Sequence, residues 1–381
     1  MKFRELGKTG KSVSIIGLGL ENVDFKPYEQ VKETVDAGLE YGINIIDVFM
    51  PGTEVRGHIA KALGERRDQV MIQGHIGASN VNQQYDISRD MPTVKKFFEE
   101  LLSLFGYIDF GMLFFIDSED DYRNVFETEF AAYAEQLKKN GDIRHIGFSS
   151  HNPQMAIKAI ETGLPEMMMF SVNPAFDMLP SDRYVFDYFG DEDRFGGEHF
   201  RGIDPIRAKL YKLCEQKEIG ITVMKAFGAG KLLSPDHSPY ATPLSVKQCI
   251  HYALTRPAVA SVMAGSRTAA EVKEAVSYLE AGDEEKNYSQ VISDARNDFR
   301  GSCVYCSHCQ PCPAEIDIAA VIKYLDIARL DPANIAPSIR SHYHALSAKG
   351  GDCTSCGSCE SRCPFGVEII ANMKEAEELI R

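Results

Sequence analysis

Short β-branched runs alternate with amphipathic stretches over the first three quarters of the chain. The runs are Val13–Leu18, Ile43–Val48, Val70–Gln73, Ile108–Ile116, His145–Ser149, Met167–Asn173, Ile221–Lys225 and Ala260–Ala264. Between them lie Tyr28–Tyr41, Pro92–Phe105, Tyr122–Lys139, Pro153–Glu161, Ile206–Lys217, Leu244–Thr255 and Ala269–Glu280, where apolar residues recur at three- and four-residue steps. Phe3 to Lys11, with Gly7 and Gly10 as turn residues, reads as a polar hairpin ahead of them. Eight strand–helix units in about 280 residues predict a (β/α)8 barrel of the TIM type, whose usual length is about 250 residues. The rival is an open doubly wound sheet. No G-x-G-x-x-G follows the first strand, and Gly17-Leu-Gly19 alone carries little weight.

One connection exceeds the usual length. Phe176 to Asp204 spans about 28 residues where two to six are normal, and it carries Tyr184, Phe186, Tyr188, Phe189, Phe195 and Phe200 among acidic residues. An aromatic lid over the barrel mouth is the expectation, with a docking surface for the C-terminal region as the alternative. From about Glu284 the pattern changes to two helical runs, Ile318–Leu330 and Ile335–Leu346, split by Asp331-Pro332. The expected division is therefore a barrel over 1–282 and a small α-helical domain over 283–381.

That second domain holds the densest chemistry. Cys353-Thr-Ser-Cys356-Gly-Ser-Cys359 is followed four residues later by Cys363-Pro364, and Cys303-Val-Tyr-Cys306-Ser-His-Cys309-Gln-Pro-Cys312-Pro313 repeats the run one residue shorter. Three cysteines at a three-residue step, then Cys-Pro, form the bacterial ferredoxin run. One tight loop aims three thiolates at a cubane while the fourth is turned away. Structural zinc prefers paired C-x2-C, and disulfides belong to secreted chains. Eight thiolates predict two [4Fe–4S] clusters. Crossed ligation groups Cys303, Cys306 and Cys309 with Cys363, and Cys353, Cys356 and Cys359 with Cys312. With about forty residues between the runs, an α-helical ferredoxin-like domain is expected, its clusters part of its core.

A net charge of −14 argues against nucleic acid and anionic membrane as partners, and mildly favours a basic electron-carrier protein. No stretch reaches the roughly 18 apolar residues of a membrane span, and the N-terminus lacks the apolar core of a signal peptide. Ten cysteines without such a signal fit a reducing cytoplasm. The two outside the runs, Cys214 and Cys249, read as buried apolar residues.

Several segments resemble the aldo/keto reductase family. They are Arg4-Glu-Leu-Gly-Lys-Thr-Gly-Lys-Ser-Val-Ser-Ile-Ile-Gly-Leu-Gly19, Gly42-Ile-Asn-Ile-Ile-Asp47, Gly141-Asp-Ile-Arg-His-Ile-Gly-Phe-Ser-Ser150 and Val223-Met-Lys-Ala-Phe-Gly-Ala-Gly-Lys-Leu-Leu233. With the cysteine runs, the chain is similar to the iron–sulfur branch of that family. The resemblance implies an oxidoreductase with an Asp, Tyr, Lys and His tetrad and a nicotinamide site at the strand ends. Asp47 matches the family Asp. Gly52 stands at the Tyr position, His75 at the Lys position and Phe114 at the His position. Ser149 and Ser150 match the pair that holds the carboxamide. Met169 replaces the expected Gln, Asn173 remains at its strand's end, and Glu271 stands where a phosphate-binding Arg is common. A carboxylate there repels a 2′-phosphate, so NADP is disfavoured, NAD is admitted and a flavin is left open.

His75, His151, Asn173 and Lys225 fall at predicted strand ends or just beyond, and the mouth of the barrel is where such residues meet. His75 beside Asp47 would serve as a proton donor; the plainer reading is a structural histidine filling the lysine's space. Lys225 suggests an anionic small-molecule substrate, and Phe114 and Phe115 are expected to pack. The expected function is an iron–sulfur oxidoreductase relaying electrons through two clusters to or from the barrel mouth. Two alternatives stand beside it: a nicotinamide-dependent carbonyl reductase with accessory clusters, and a non-catalytic electron-transfer or docking subunit.

Overall fold

The structure, a computed structural model, describes residues 1–81, 84–178, 203–294, 301, 303, 305–307, 309–363 and 366–380. The long aromatic connection lies outside these residues from 179 to 202.

A hairpin of β1 (Phe3–Glu5) and β2 (Ser12–Ser14) precedes the first barrel strand, β3 (Ile16–Gly19). Next come β4 (Ile45–Val48), β5 (Met71–Ile76), a second hairpin of β6 (Ala78–Val81) and β7 (Gln84–Ile87), then β8 (Ile108–Leu113), β9 (Ile143–Ser150), β10 (Met167–Ser171), β11 (Gly220–Met224) and β12 (Val259–Gly265). β3, β4, β5, β8, β9, β10, β11 and β12 close in that order into an all-parallel barrel. The expected barrel is present. Helices α1 (Tyr28–Glu40), α2 (Thr53–Leu63), α3 (Met91–Phe105), α4 (Glu119–Phe126), α5 (Glu129–Asn140), α6 (Pro153–Glu161), α7 (Pro174–Asp177), α8 (Pro205–Gln216), α9 (Val246–Leu254) and α10 (Ala269–Val276) belong to its connections. The single run expected over Tyr122–Lys139 is two helices, because Thr128 adopts an extended backbone and caps α5 through its side chain.

Side chains alternate along each barrel strand, so every second residue fills the interior. That interior is rich in thioethers: Met112, Met167, Met169 and Met263 pack with Ile45 and Phe110. Gly147 makes room for them, since a Cβ there would lie 2.4 Å from Met167 Sδ. The first hairpin closes the lower end, where Arg4 Nη1 donates to the carbonyls of Leu254 and Val259 at 2.8 Å.

After α10 come α11 (Asp283–Lys286), α12 (Ser289–Asp294), α13 (Ile318–Ala328), α14 (Pro337–His344), α15 (Ser358–Arg362) and α16 (Ile369–Leu379), with no strand among the described residues of this region. The region packs against α8 and α9. Lys323 Nζ pairs with Glu215 Oε1 at 3.2 Å. The Arg256 guanidinium lies 4.2 Å from the Tyr252 ring and 5.8 Å from that of Tyr305. Cys214 and Cys249 are fully buried on α8 and α9, as the sequence suggested, and burial pushes both thiols up.

Candidate functional site

β4 and β5 run side by side with Asp47 opposite Gln73, so Asp47, Gln73 and His75 share the interior face at the upper end. Strand β5 runs to Ile76, past the expected Gln73, and this places His75 inside the strand and buries it. His75 Nε2 lies 2.8 Å from Asp47 Oδ1, which also accepts from Gln73 Nε2 at 3.1 Å. A carboxylate oxygen only accepts, so the proton between the pair sits on Nε2. His75 Nδ1 is then the other nitrogen, buried and without a hydrogen-bond partner among the described residues.

Above this pair opens a cleft of about 570 Å³. Asp47, His75, Ser149, His151 and Lys225 line it, along with Phe49, Phe114 and Phe115. Phe49 and Phe114 meet the His75 ring edge-on, at 5.6 and 5.3 Å between centroids. Further along, the cleft reaches Gly265, Ser266, Arg267 and Glu271.

Two expected residues take other positions. Asn173 is fully buried away from the cleft wall; its Oδ1 caps α7 by accepting from Phe176 N, and its Nδ2 donates to Lys225 O at 2.8 Å. That bond holds Lys225 in a left-handed turn (φ 59°), so Asn173 positions Lys225 instead of meeting a ligand. Lys225 Nζ lies 3.5 Å from Glu21 Oε2. Ser150 also faces away, with Oγ donating to Ile116 O at 2.7 Å and lying 3.0 Å from Asp117 Oδ1. Strand alternation separates it from Ser149, whose Oγ accepts from Phe115 N at 2.9 Å.

Three contributors were missed in the sequence. Asp117 holds His151, with Oδ2 2.8 Å from Nδ1 and Oδ1 accepting from the backbone N–H. Burial raises the Asp117 pKa, but His151 and Ser150 outweigh it and hold the carboxyl below its usual range. Arg267 sits in the turn before α10, its N–H donating to Glu271 Oε2 at 2.5 Å. Glu271 thus closes the turn that leads into α10. The third is Tyr85. No phenol was expected at the matched positions, yet this one lines the cleft from β7. The alternation of Ala78 with Asn80 and of Tyr85 with Ile87 was the signal that could have revealed the hairpin.

The cysteines form two further groups. One small cavity is lined by Cys303, Cys306, Cys309 and Cys363, with Ile318, Ile322 and Val367. The other is lined by Cys312, Cys353, Cys356 and Cys359, with Ile316, Ile369 and Met373. The two loops share a backbone pattern. Tyr305 and Ser355, each two residues after a run's first cysteine, have φ of 56°, and each N–H donates to that cysteine's Sγ at 3.4 Å. Ser307 and Gly357, each directly after the second cysteine, are also left-handed. Three strained non-glycine residues across the two loops, Tyr305, Ser307 and Ser355, persist only where the surroundings fix them, and N–H groups aimed at sulfur suit thiolates. Among the described residues no three His, Cys, Asp or Glu side chains converge on a single metal ion. A cubane needs no such convergence, because each thiolate binds its own iron at a separate corner. The donor set and the loop geometry fit that group.

Helix α9 is a wall common to both regions. Val246 at its start lines the cleft, and Arg256, two residues past its end, meets Tyr305 beside Cys303. At 1.5 Å per residue, that separation is about 15 Å.

A closed parallel barrel with ionisable side chains gathered at its upper strand ends is the plan of a barrel enzyme. The aldo/keto reductase family profile matches residues 15–244, and the chain belongs to the aldo/keto reductase family. Membership implies an oxidoreductase. Two solved structures share the fold. An aldo-keto reductase from Bacillus halodurans in its holo form is 20% identical with a TM-score of 0.57, covering 78% of this chain and 98% of its own. A putative aldo-keto reductase from Pseudomonas aeruginosa is 19% identical with a TM-score of 0.53, covering 73% and 95%. No curated protein shows a significant match.

Proposed function

We propose that this chain is an iron–sulfur oxidoreductase in which two [4Fe–4S] clusters exchange single electrons with a small molecule at the barrel mouth. The observation that carries the reading is the gathering of eight cysteines into two apolar cavities, four to each, with every quartet drawn from both runs. When bound, the clusters would supply one-electron chemistry. Cys303, Cys306, Cys309 and Cys363 would hold one, and Cys312, Cys353, Cys356 and Cys359 the other. The barrel would comprise 1–282 and the α-helical ferredoxin-like domain 283–381. The setting is a reducing cytoplasm, and the electron partner is a basic carrier protein meeting the acidic surface.

At the mouth, Asp47 orients His75 through the contact to Nε2, leaving Nδ1 to exchange a proton with the ligand. The test is anaerobic analysis for iron and sulfide, followed by titration with NADH, NADPH and flavins. About eight irons and eight sulfides per chain are expected. Stoichiometric zinc without sulfide sinks the reading.

A nicotinamide-dependent carbonyl reductase is the second reading. It is favoured by the length of the cleft, which runs from His75 past Lys225 to Ser266 and Arg267. Glu271 on the Arg267 N–H makes NAD the better fit than NADP. Tight NADH binding with turnover that is indifferent to cluster loss would select it.

A further inference from the structure

The two cysteine loops share a backbone but not their surroundings. Tyr305 and Ser355 hold the same place in their runs, with the same φ of 56° and the same N–H to Sγ contact. Ser355 is exposed, as are its neighbours Thr354 and Cys356. Tyr305 is buried, and a charge of each sign meets it. The Arg256 guanidinium lies 5.8 Å from its ring. Its hydroxyl donates to Asp326 Oδ2 at 2.7 Å.

These two charges are not equally screened. Arg256 is 3% exposed, and a guanidinium keeps its charge in a protein. Its Nη2 donates to Thr255 Oγ1 at 3.0 Å and to Tyr288 Oη at 3.3 Å, and the Tyr252 ring lies 4.2 Å away, which fixes the group beyond the end of α9. Asp326 on α13 is partly exposed and shares its charge with Arg329 Nη1 at 3.1 Å and Lys212 Nζ at 3.9 Å. Salt and water damp an exposed charge far more than a buried one. A four-iron cluster gains one negative charge on reduction, and nearby charge is one of the levers on its potential. A buried cation favours the reduced form, and a carboxylate opposes it.

We propose that Arg256 and Asp326, which meet Tyr305 at its ring and its hydroxyl, set the reduction potential of the cluster held by Cys303, Cys306 and Cys309, Arg256 raising it and Asp326 lowering it. The inference rests on the cluster reading given above and deepens it. The first loop is the one in contact with the Arg256 end of α9, whose other end lines the cleft. The potential of this cluster therefore governs how readily an electron held by the cysteine region passes to the barrel. Neither residue is a ligand; each acts through space as a positioning charge.

The test is a redox titration of the full chain, prepared anaerobically, with dithionite supplying the electrons and electron paramagnetic resonance reading each cluster. Iron and sulfide are counted first, and the signal lost in Cys306→Ala identifies the first cluster. At an effective dielectric of about 20, a unit charge about 10 Å away is worth roughly tenfold in a one-electron equilibrium. In Arg256→Gln the ratio of reduced to oxidised first cluster at a fixed potential should fall about tenfold, a shift of about 59 mV, with the second cluster unchanged. Arg256→Lys should keep most of the wild-type value. Asp326→Asn should move the same cluster the other way, by about fivefold, because its charge is shared and partly exposed. A first cluster within twofold of wild type in Arg256→Gln overturns the proposal, and so does an equal shift of both clusters. Where Arg256→Gln fails to keep its iron, Asp326→Asn decides. A rise confined to the first cluster upholds the proposal, and a potential that stays or falls overturns it. Wild-type protein without iron and sulfide would remove the cluster reading and the proposal with it. About eight irons with an unmoved first cluster would remove the proposal alone.

Discussion

Arg362 and Cys309 belong to different cysteine runs, and Arg362 Nη2 donates to the Cys309 carbonyl at 2.7 Å. The same nitrogen reaches the Pro311 carbonyl at 2.6 Å. One guanidinium thus clasps the loop that carries Cys309 and Cys312, one residue of each quartet.

Removing that clasp should loosen both quartets together. Arg362→Ala is expected to lower iron content across both clusters, because it removes one part-buried and one exposed hydrogen bond from a charged donor. Arg362→Lys should recover part of it. Iron and sulfide analysis after anaerobic gel filtration measures the loss. Full retention in the alanine variant would show that the loops hold themselves.

Cys312 sits on the first run but lines the cavity of the second. Cys312→Ser should therefore damage the cluster of Cys353, Cys356 and Cys359 more than its neighbour, and Cys363→Ser should do the reverse. Low-temperature electron paramagnetic resonance of the reduced protein separates the two signals. Loss confined to the first run's own cluster would show uncrossed ligation.

The mouth predicts slow ordinary aldehyde reduction with NADPH. The tetrad positions hold Gly52, His75 and Phe114, and general acid catalysis is typically worth about 10²- to 10⁴-fold. His75→Ala should abolish native turnover with cluster content unchanged. Asp47→Asn should lower turnover too, because it removes the carboxylate that accepts from Nε2 and orients the His75 ring. Robust NADPH-dependent turnover of generic aldehydes would contradict this layout.

Stability should depend on pH through Glu166. Burial raises its pKa, but hydrogen bonds from His145, Lys138 and the Ile146 N–H prevail and hold it at about 2. The folded value lies below the unfolded one. The contribution is therefore complete above about pH 4.5 and disappears as pH falls towards 2. Glu166→Gln should destabilise by about 2 kcal/mol near pH 7 and converge with wild type on acidification. Thermal melts from pH 7 to 3 test this; a gap independent of pH would assign it to packing alone.

The barrel was legible because its strands are short β-branched runs and its helices carry one apolar stripe, and both follow from local chemistry. Asp47 and His75 were legible as a pair because strand ends gather at one rim. Asn173 was not, since an asparagine before proline serves a helix cap as readily as a ligand, and only the bond to the Lys225 carbonyl decides. Ser150 differs from Ser149 by one step of alternation, and register alone sets which faces inward. Tyr85 escaped because it reaches the cleft from an inserted hairpin outside the barrel's own rhythm. The left-handed turns at Tyr305 and Ser355 are invisible in residue types that rarely adopt them.

The floor of the cleft is thioether. Met169, Met224 and Met263 line it, with Met112 and Met167 packed beneath. Peroxide turns a methionine into a polar, chiral sulfoxide, and a single added oxygen in this layer would wedge apart the packing under Asp47 and His75. Air would thus age this protein at the sulfur floor as well as at the proposed clusters. Rebuilding the clusters alone would leave the packing beneath Asp47 and His75 disturbed.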